Sequence, residues 1–486
     1  MNRRIDNLTT QFFQDFGHYA VGAILPAMVG TAAIVVLTRA FSPDLYGQYA
    51  LAMVFVMVAS TIAAGWIGQS ILRLEPELET APLIANALVS LASVIGVALM
   101  VGILVYLARP FDDETFRWLF AGGLMLVIAQ SLFSVTKSLL QARLDSKRAA
   151  LLKMCNSGSH LLLGLPLAIL VFDHPVGWMV GAAIGTVVSV SLIWNWGLER
   201  PRFAVQRTVL KRMVTFGFPM IGWLLGFTLL SFIDRVLLQF LMNSRAVGLY
   251  ASNYELANKA LPLALAPVIQ ASHSIIMNTW EGNNPSSVQS AVSEMTRYLL
   301  IVGVPVTALV AVSSRALSGI LLDKAYFEGH TIIPIIAISV FLFHLAMLAH
   351  KGLEVKEKTG TMFFGVLVAT LLNVGLNFLA IPRYGFEGAA GATLVSFGFY
   401  LMFATAVTER HIPWRPPIDT IRNVCVGTAI LSGVAIFVYH VIGYSLVGLL
   451  TAGVLAGTAY LLSLFAIGEF SHQERKTLKA TLEYFG

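Results

Sequence analysis

The sequence predicts an all-α polytopic membrane protein of about fourteen transmembrane helices, arranged as two pseudo-symmetric six-helix lobes plus two extra C-terminal helices. Three observations predict it. Of the 486 residues, 57% are hydrophobic and only 12% charged, about half the charged share of an ordinary soluble domain. The mean hydropathy is +0.76. Apolar runs of about 20 residues, enough at 1.5 Å per residue to cross a ~30 Å hydrocarbon core, recur along the whole chain. Features of the first half also return in the second at a nearly constant offset. The first apolar run is followed by many others and has no small-residue cleavage site, so it reads as a helix and not as a removable signal.

In chain order, Ile5, Leu8, Phe12 and Phe16 recur at spacings of three and four, which predicts a short interfacial helix. Spans follow at roughly 20–38, 47–69, 82–107, 116–137, 151–172 and 176–196, each bounded by charged or Pro/Gly turns. They make an N-terminal lobe over 1–199. A basic connector, 200–216, carries Arg200, Arg202, Arg207, Lys211 and Arg212 interleaved with Phe203, Val209 and Met213, and reads as an interfacial linker or as a solvated positive-inside loop. The C-terminal lobe, 217–410, has spans near 217–241, 246–278, 297–321, 330–350, 361–381 and 386–408. After the Pro-rich turn Pro413 to Pro417, the segment 411–486 adds spans at 421–442 and 446–467 and an amphipathic tail.

The repeat is visible residue by residue. Pro175, Gly181, Ala182, Ala183, Thr186, Val188 and Ser189 return as Pro382, Gly388, Ala389, Ala390, Thr393, Val395 and Ser396. Gly47, Tyr49 and Ala50 return as Gly248, Tyr250 and Ala251, and Leu144, Asp145 and Lys147 as Leu353, Glu354 and Lys356. An even number of helices per copy gives both copies the same orientation, about an axis along the membrane normal. Gly177, Gly181 and Gly185 read as small residues that let helices approach closely.

Lys and Arg favour alternate loops. With a cytoplasmic amino terminus, the inside loops hold Arg73, a cluster from Lys137 to Lys153, the basic connector, Arg297, Lys351, Lys356 and Lys358, while the outside loops hold few. Both termini are therefore expected in the cytoplasm. The net charge of +6 is accounted for by this loop pattern, and no nucleic-acid partner is expected. Cys155 and Cys425 fall inside apolar runs and offer neither a disulfide framework nor a metal site. No phosphate-binding loop of the Walker type is present.

Four charges interrupt the central hairpin from Gly217 to Lys259: Asp234 and Arg235 in its first arm, Glu255 and Lys259 in its second. Each costs roughly 2.5–3.5 kcal/mol at the membrane centre, so they must pair or line a watery cavity. Lys259, ~20 Å below the outer boundary, is the first candidate to hold an anion, or else it pairs with Glu255 one helical turn away. A bridge from Arg235 to Glu255 would leave Lys259 unpaired. Asp234 and Arg235 also read as residues that each lock a neighbouring helix. Asn253, His273, Asn156 and His18 are secondary polar candidates; Gln130, His160, His344, Asn373 and Asn377 share their pattern, and interhelical hydrogen bonding is the alternative role for all of these intramembrane groups.

Three stretches, LTRAFSPDLYGQYALA after the first span, FIDRVLLQF with VGLYASNYELANK around the hairpin, and PRYGFEGAAGATLVS before the twelfth, resemble the polysaccharide or lipid-linked oligosaccharide flippases of the multidrug/oligosaccharidyl-lipid/polysaccharide exporter superfamily. The resemblance covers nearly the whole chain. It implies a MATE-like V-shaped pair of lobes and no enzymatic activity. It further implies alternating-access export of a polyprenyl-phosphate or pyrophosphate-linked glycan to the outer leaflet, for O-antigen, capsule or exopolysaccharide synthesis. The implied partners are that glycan lipid, the bilayer of the inner membrane, and a polymerase and glycosyltransferases of the same pathway. No cofactor is implied, and coupling would be to the membrane potential or to a monovalent cation. In such a cleft Lys259, Arg235, Glu255 and Asp234 are the binding candidates. The second span is uncharged up to Gln69, unlike the peptidoglycan-precursor branch. Two other functions stay open: a cation-coupled drug antiporter of the same superfamily, and a membrane glycan polymerase or ligase. The antiporter would call for carboxylates deep in the first lobe, the enzyme for a large outside loop.

Overall fold

A computed structural model describes residues 26–75, 77–78, 80–108, 114–196, 205–280, 284–471 and 474. Among them the chain is a succession of apolar helices, and twelve stretches are long and apolar enough to cross a membrane. In chain order the helices are α1 (Pro26–Ala40), α2 (Pro43–Leu74), α3 (Thr80–Ala108), α4 (Glu114–Ala142), α5 (Lys147–Val171), α6 (Val176–Asn195), α7 (Arg207–Leu241), α8 (Ser244–Trp280) and α9 (Pro285–Val312). A short helix, Ser314–Leu321, and a 3-10 stretch, Lys324–Thr331, lead to α10 (Ile332–Ala349). The 50-residue run Thr359–Thr408 is two helices, α11 and α12, meeting at Gly385, whose φ of 60° breaks the helical path. The chain continues with α13 (Ile418–Ile442) and α14 (Leu446–Ile467). Counting both arms of that run and the shorter α1, the fourteen expected helices are present among the described residues.

Local chemistry sets the ends. Ser42 caps α2, its Oγ accepting from the Leu45 amide, and Pro43 fills the first helical position where no amide partner is needed. Asp145 caps α5, Asn284 caps α9 and Ser445 caps α14 in the same manner. The connector expected over 200–216 is helical from Arg207, so Arg207, Lys211 and Arg212 form the first turns of α7. The basic residues lie on a helix because Val209 and Met213 between them are buried in a core with Ile67, Ile71 and Leu139, and burial of an apolar face outweighs the preference of charge for a loop. The expected span 297–321 ends at Val312, with Ser313 separating it from the short helix.

The chain forms two compact units. The first is Met28–Ala251 with Thr370–Phe386, and the second is Ser252–Ala369 with the chain from Glu387 onward. Within the first, α6 packs on α5 through small residues. A Cβ on Gly177 or Gly181 would strike the α5 backbone at Leu167 or Gly164, and one on Gly185 would strike Ser159. The close packing expected of those glycines is thus observed. Two repeat-related glycines also lie in this unit. A Cβ on Gly47 would overlap the Ser244 carbonyl, and one on Gly248 would overlap the Pro43 carbonyl. Position 43 answers to 244 as 47 answers to 248, so the two helix starts contact each other reciprocally, as a two-fold relation between the repeats requires.

The predicted interfacial helix around Ile5 to Phe16, the candidate His18 and most of the C-terminal tail lie outside the described residues.

Candidate functional site

The first unit holds a cleft of ≈ 510 Å³ between α2, α4 and α7. Its polar lining is Gln69, Gln130, Gln141, Lys137 and the hydroxyls of Ser60, Thr61, Ser134, Ser138 and Thr228, set among apolar Met53, Val56, Phe133 and Leu224. Among the described residues no carboxylate lines it. The α2 wall is shaped by a π-helical turn, Thr61–Gly65. There the Ser60 hydroxyl donates to the Val56 carbonyl, and the Thr61 hydroxyl to Met57 O at 2.7 Å. Such back-bonding competes with the regular ladder and loosens it, and π turns of this sort are frequent at functional sites. Thr61 Oγ1 also stands 3.5 Å from Thr228 Oγ1 of α7. On α4, Thr136, one residue from Lys137, accepts from Trp194 Nε1 at 3.0 Å, which fixes the helix face that turns Lys137 to the cleft.

Lys137 lies five residues, ~8 Å, before the end of α4. Lys153 of α5 is its charged neighbour. Among the described residues no carboxylate comes within ion-pair distance of it. A cation at the polar end of a membrane cleft, flanked by amides and hydroxyls and faced by no acid, is suited to an anion that carries hydroxyl groups. The sequence pattern had assigned Lys137 to a loop cluster; only the end of α4 at Ala142 places it inside the helix. Gln130 was already visible as an intramembrane amide, whereas Gln69 marked only the end of the uncharged second span.

The hairpin candidates occupy other places. Asp234 is buried at 1% exposure and accepts from Tyr250 Oη at 2.7 Å and from Asn377 Nδ2 at 2.8 Å. Asn377 Nδ2 is also within 2.9 Å of Asn373 Oδ1. This carboxylate ties α7, α8 and α11 together in the first unit. Arg235, 3% exposed, lays its guanidinium 4.7 Å from the centre of the Phe232 ring. Lys259 and Glu255 belong to the second unit, with Nζ 3.5 Å from Oε2. Lys259 thus has the local partner that the sequence offered as its alternative role, and is not left unpaired. Partners four apart on one helix meet at little entropic cost, which favours this local pairing. Asn253 is fully buried and donates to the Tyr326 carbonyl at 3.0 Å. Asn156, 8% exposed, keeps a buried Oδ1 with no hydrogen-bond partner among the described residues. His273 sits with Lys351 and Glu354 in the second unit. Among the described residues no three His, Cys, Asp or Glu side chains converge as a metal site.

Comparison with known proteins agrees with this architecture. Residues 36–331 match the family model described as polysaccharide biosynthesis protein. The chain is 24% identical over 439 residues to the probable flippase AglR of Haloferax volcanii, covering 87% of this chain and 88% of that protein. Its fold is similar to a lipid II flippase MurJ in an inward closed conformation, with TM-score 0.74 and 12% identity over 92% of this chain and 97% of that one. It is also similar to an inward-facing multidrug resistance MATE family transporter of the MOP superfamily, with TM-score 0.62 and 13% identity over 80% and 98% of the two chains. A multi-pass membrane protein with the exporter-superfamily fold, this chain belongs to the polysaccharide biosynthesis protein family.

Proposed function

We propose that this protein is a lipid-linked oligosaccharide flippase, moving a polyprenyl-phosphate or pyrophosphate-linked glycan from the cytoplasmic to the outer leaflet by alternating access. It would serve the synthesis of a cell-surface polysaccharide, together with glycosyltransferases and a polymerase. The observation that carries the reading is the cleft between α2, α4 and α7, which among the described residues is lined by one lysine, three glutamines, five hydroxyls and no acid. Its ammonium suits a lipid phosphate and its amides and hydroxyls suit sugar hydroxyls. A drug antiporter handling organic cations would call for the carboxylate that this lining lacks. The Lys and Arg bias of the loops supports a cytoplasmic location for both termini, which would set the end of α4 and the cleft lysine near the inner face, where the substrate is made. Outward movement of a negative headgroup is favoured by an inside-negative potential, by about 2.3 kcal/mol per charge per 100 mV. The potential, or a monovalent cation, drives the cycle.

The test is reconstitution into vesicles with a fluorescent polyprenyl-phosphate sugar, following its exposure to a membrane-impermeant quencher. Lys137→Gln is expected to slow translocation by about ten- to a hundredfold, the loss of one charge-assisted contact worth ~1.5–3 kcal/mol, while leaving the unfolding temperature unchanged. Wild-type translocation by Lys137→Gln, or none by the wild-type protein, would refute the assignment.

A further inference from the structure

We propose that Arg73 of α2 and Arg212 of α7 form an entry site for the phosphate of the substrate at the rim of the cleft, and that Glu77 keeps this site occupied until the substrate arrives. The proposal rests on the flippase reading above for the identity of the lipid; the two-arginine site stands on its own geometry.

Glu77 lies three residues beyond the end of α2, in a turn where the amides of Glu77 and Leu78 both donate to the Leu74 carbonyl. Its two oxygens have different partners. Arg73 Nη1 donates to Oε1, and Arg212 Nη2 donates to Oε2 at 2.7 Å. Two guanidiniums from separate helices thus converge on one small anion. A phosphate presents a pair of oxygens at a comparable spacing, and guanidinium donors match both kinds of group. The carboxylate therefore stands where a lipid phosphate fits.

This carboxylate can be displaced. The side chains of Arg73, Arg212 and Glu77 are 58%, 48% and 38% exposed, and ion pairs so open to solvent hold weakly. The neighbouring pair differs: Arg143 Nε meets Glu75 Oε1 at 3.1 Å with both side chains largely covered, and it ties the end of α4 to the end of α2. The two arginines, by contrast, keep their places when Glu77 leaves, because a packed crossing fixes their helices. Ser70 Oγ donates to the Met213 carbonyl at 2.8 Å, both residues are fully buried, and a Cβ on Gly217 would strike the Trp66 carbonyl. Arg212 adjoins Met213, and Arg73 lies three residues past Ser70.

The site opens onto the cleft. Gln69 and Leu72 line it, and Arg73 stands one turn beyond Gln69 on the same face of α2. On α4, Gln141 and Lys137 line the cleft, with Lys137 one turn deeper. A phosphate leaving the arginines meets the two amides and then the lysine.

The test uses farnesyl pyrophosphate, a water-soluble isoprenyl pyrophosphate, titrated calorimetrically into the purified protein in detergent. Glu77→Gln removes the competing anion and is expected to tighten binding by about fivefold, the scale of one exposed charge pair. Arg73→Gln and Arg212→Gln should each weaken it by about as much. In vesicles the same substitutions should move the half-saturating concentration of the fluorescent polyprenyl-phosphate sugar in the same directions, and more than they move the maximal rate. A purely structural salt bridge predicts the opposite sign for Glu77→Gln, a lower unfolding temperature with no gain in binding, and that result overturns the proposal. So does wild-type binding by both arginine variants, or displacement of farnesyl pyrophosphate by phosphatidylglycerol at equal concentration, which would make the site a general one for anionic lipid. If Glu77→Gln binds farnesyl pyrophosphate more tightly but the wild-type protein moves no glycan lipid, the two-arginine site stands and the flippase reading falls. If Lys137→Gln slows translocation while the arginine variants match wild type, the entry site falls and the flippase reading stands.

Discussion

The reciprocal contact between the starts of α2 and α8 makes a quantitative demand on two glycines. A methyl group at Gly47 would occupy the position of the Ser244 carbonyl oxygen, and one at Gly248 that of the Pro43 carbonyl. The obstacle in each case is backbone, which has no rotamer to change, so the helices must separate. Overpacking a tight contact costs typically about 1–3 kcal/mol. Against this, alanine in a helix gains up to ~1 kcal/mol over glycine by intrinsic propensity. The steric term wins wherever the crossing cannot yield. For a unit of this size a loss of 1 kcal/mol lowers the unfolding temperature by about 2–4 °C, so Gly47→Ala and Gly248→Ala should each lower it by a few degrees in detergent. The pair should be non-additive, because the first substitution already opens the crossing that the second obstructs. Gly375→Ala in α11 is the control: nothing lies within 4 Å of its Cβ position, and it should be neutral or stabilising. Thermal unfolding followed by tryptophan fluorescence reads all four proteins. If Gly47→Ala and Gly248→Ala behave like Gly375→Ala, the crossing is not tight, and the reciprocal packing offered here for the repeat is wrong.

The remaining predictions concern buried charge. Asp234→Ala removes the acceptor of Tyr250 and Asn377 and should destabilise by about 1–3 kcal/mol for each donor stranded, measured by the same unfolding assay, whereas Asp234→Asn, which keeps an acceptor oxygen, should cost less. Burial pushes the Glu474 carboxyl up, but hydrogen bonds and charge from Arg297, with bonds from Ser471, outweigh it and hold the carboxyl below the ordinary carboxylate value of 4.5. Its contribution to stability is therefore complete above that value and lost as pH falls through the lower folded one, so acidification below about pH 4.5 should lower the unfolding temperature less in Glu474→Gln than in wild type. Arg297→Met strands Glu294, Glu469 and Glu474 together and should cost about 3–5 kcal/mol at neutral pH, with partial recovery on acidification.

The helices were legible because the signal for each is a sum over twenty residues, and no single side chain decides it. Even the bend between α11 and α12 could be placed, from the proline and glycines between Pro382 and Gly388, and it falls at Gly385, where a φ of 60° suits a residue without a Cβ. The cleft was much less legible, and Lys137 shows why. A lysine a few residues from a helix end has the same sequence surroundings whether it reaches outward to the headgroups or turns inward to a cavity, since its position along the helix fixes depth but not facing. Facing is set by the partners of α4, by Trp194 holding Thr136 and by Ser138 packed against Gly68, and those come from elsewhere in the chain. The π turn in α2 is equally invisible to hydropathy, because it arises from the hydroxyls of Ser60 and Thr61 reaching back to carbonyls one turn earlier.

The hairpin was legible in its local pairings but not in its use. The sequence offered two roles for Lys259, a pair with Glu255 one turn away or an anion ligand left unpaired by a bridge from Arg235 to Glu255, and read Asp234 and Arg235 as locks on neighbouring helices. In the structure Asp234 accepts from Tyr250 and Asn377, and Glu255 pairs with Lys259 on its own helix. An intramembrane charge is held by whichever polar partner the fold brings within reach. For Lys259 that partner is four residues away, and for Asp234 it is the polar face of α11, more than a hundred residues on. A cation that must bind and release an anion during transport is better placed where no such carboxylate competes, and among the described residues the cleft of α2, α4 and α7 meets that condition at Lys137.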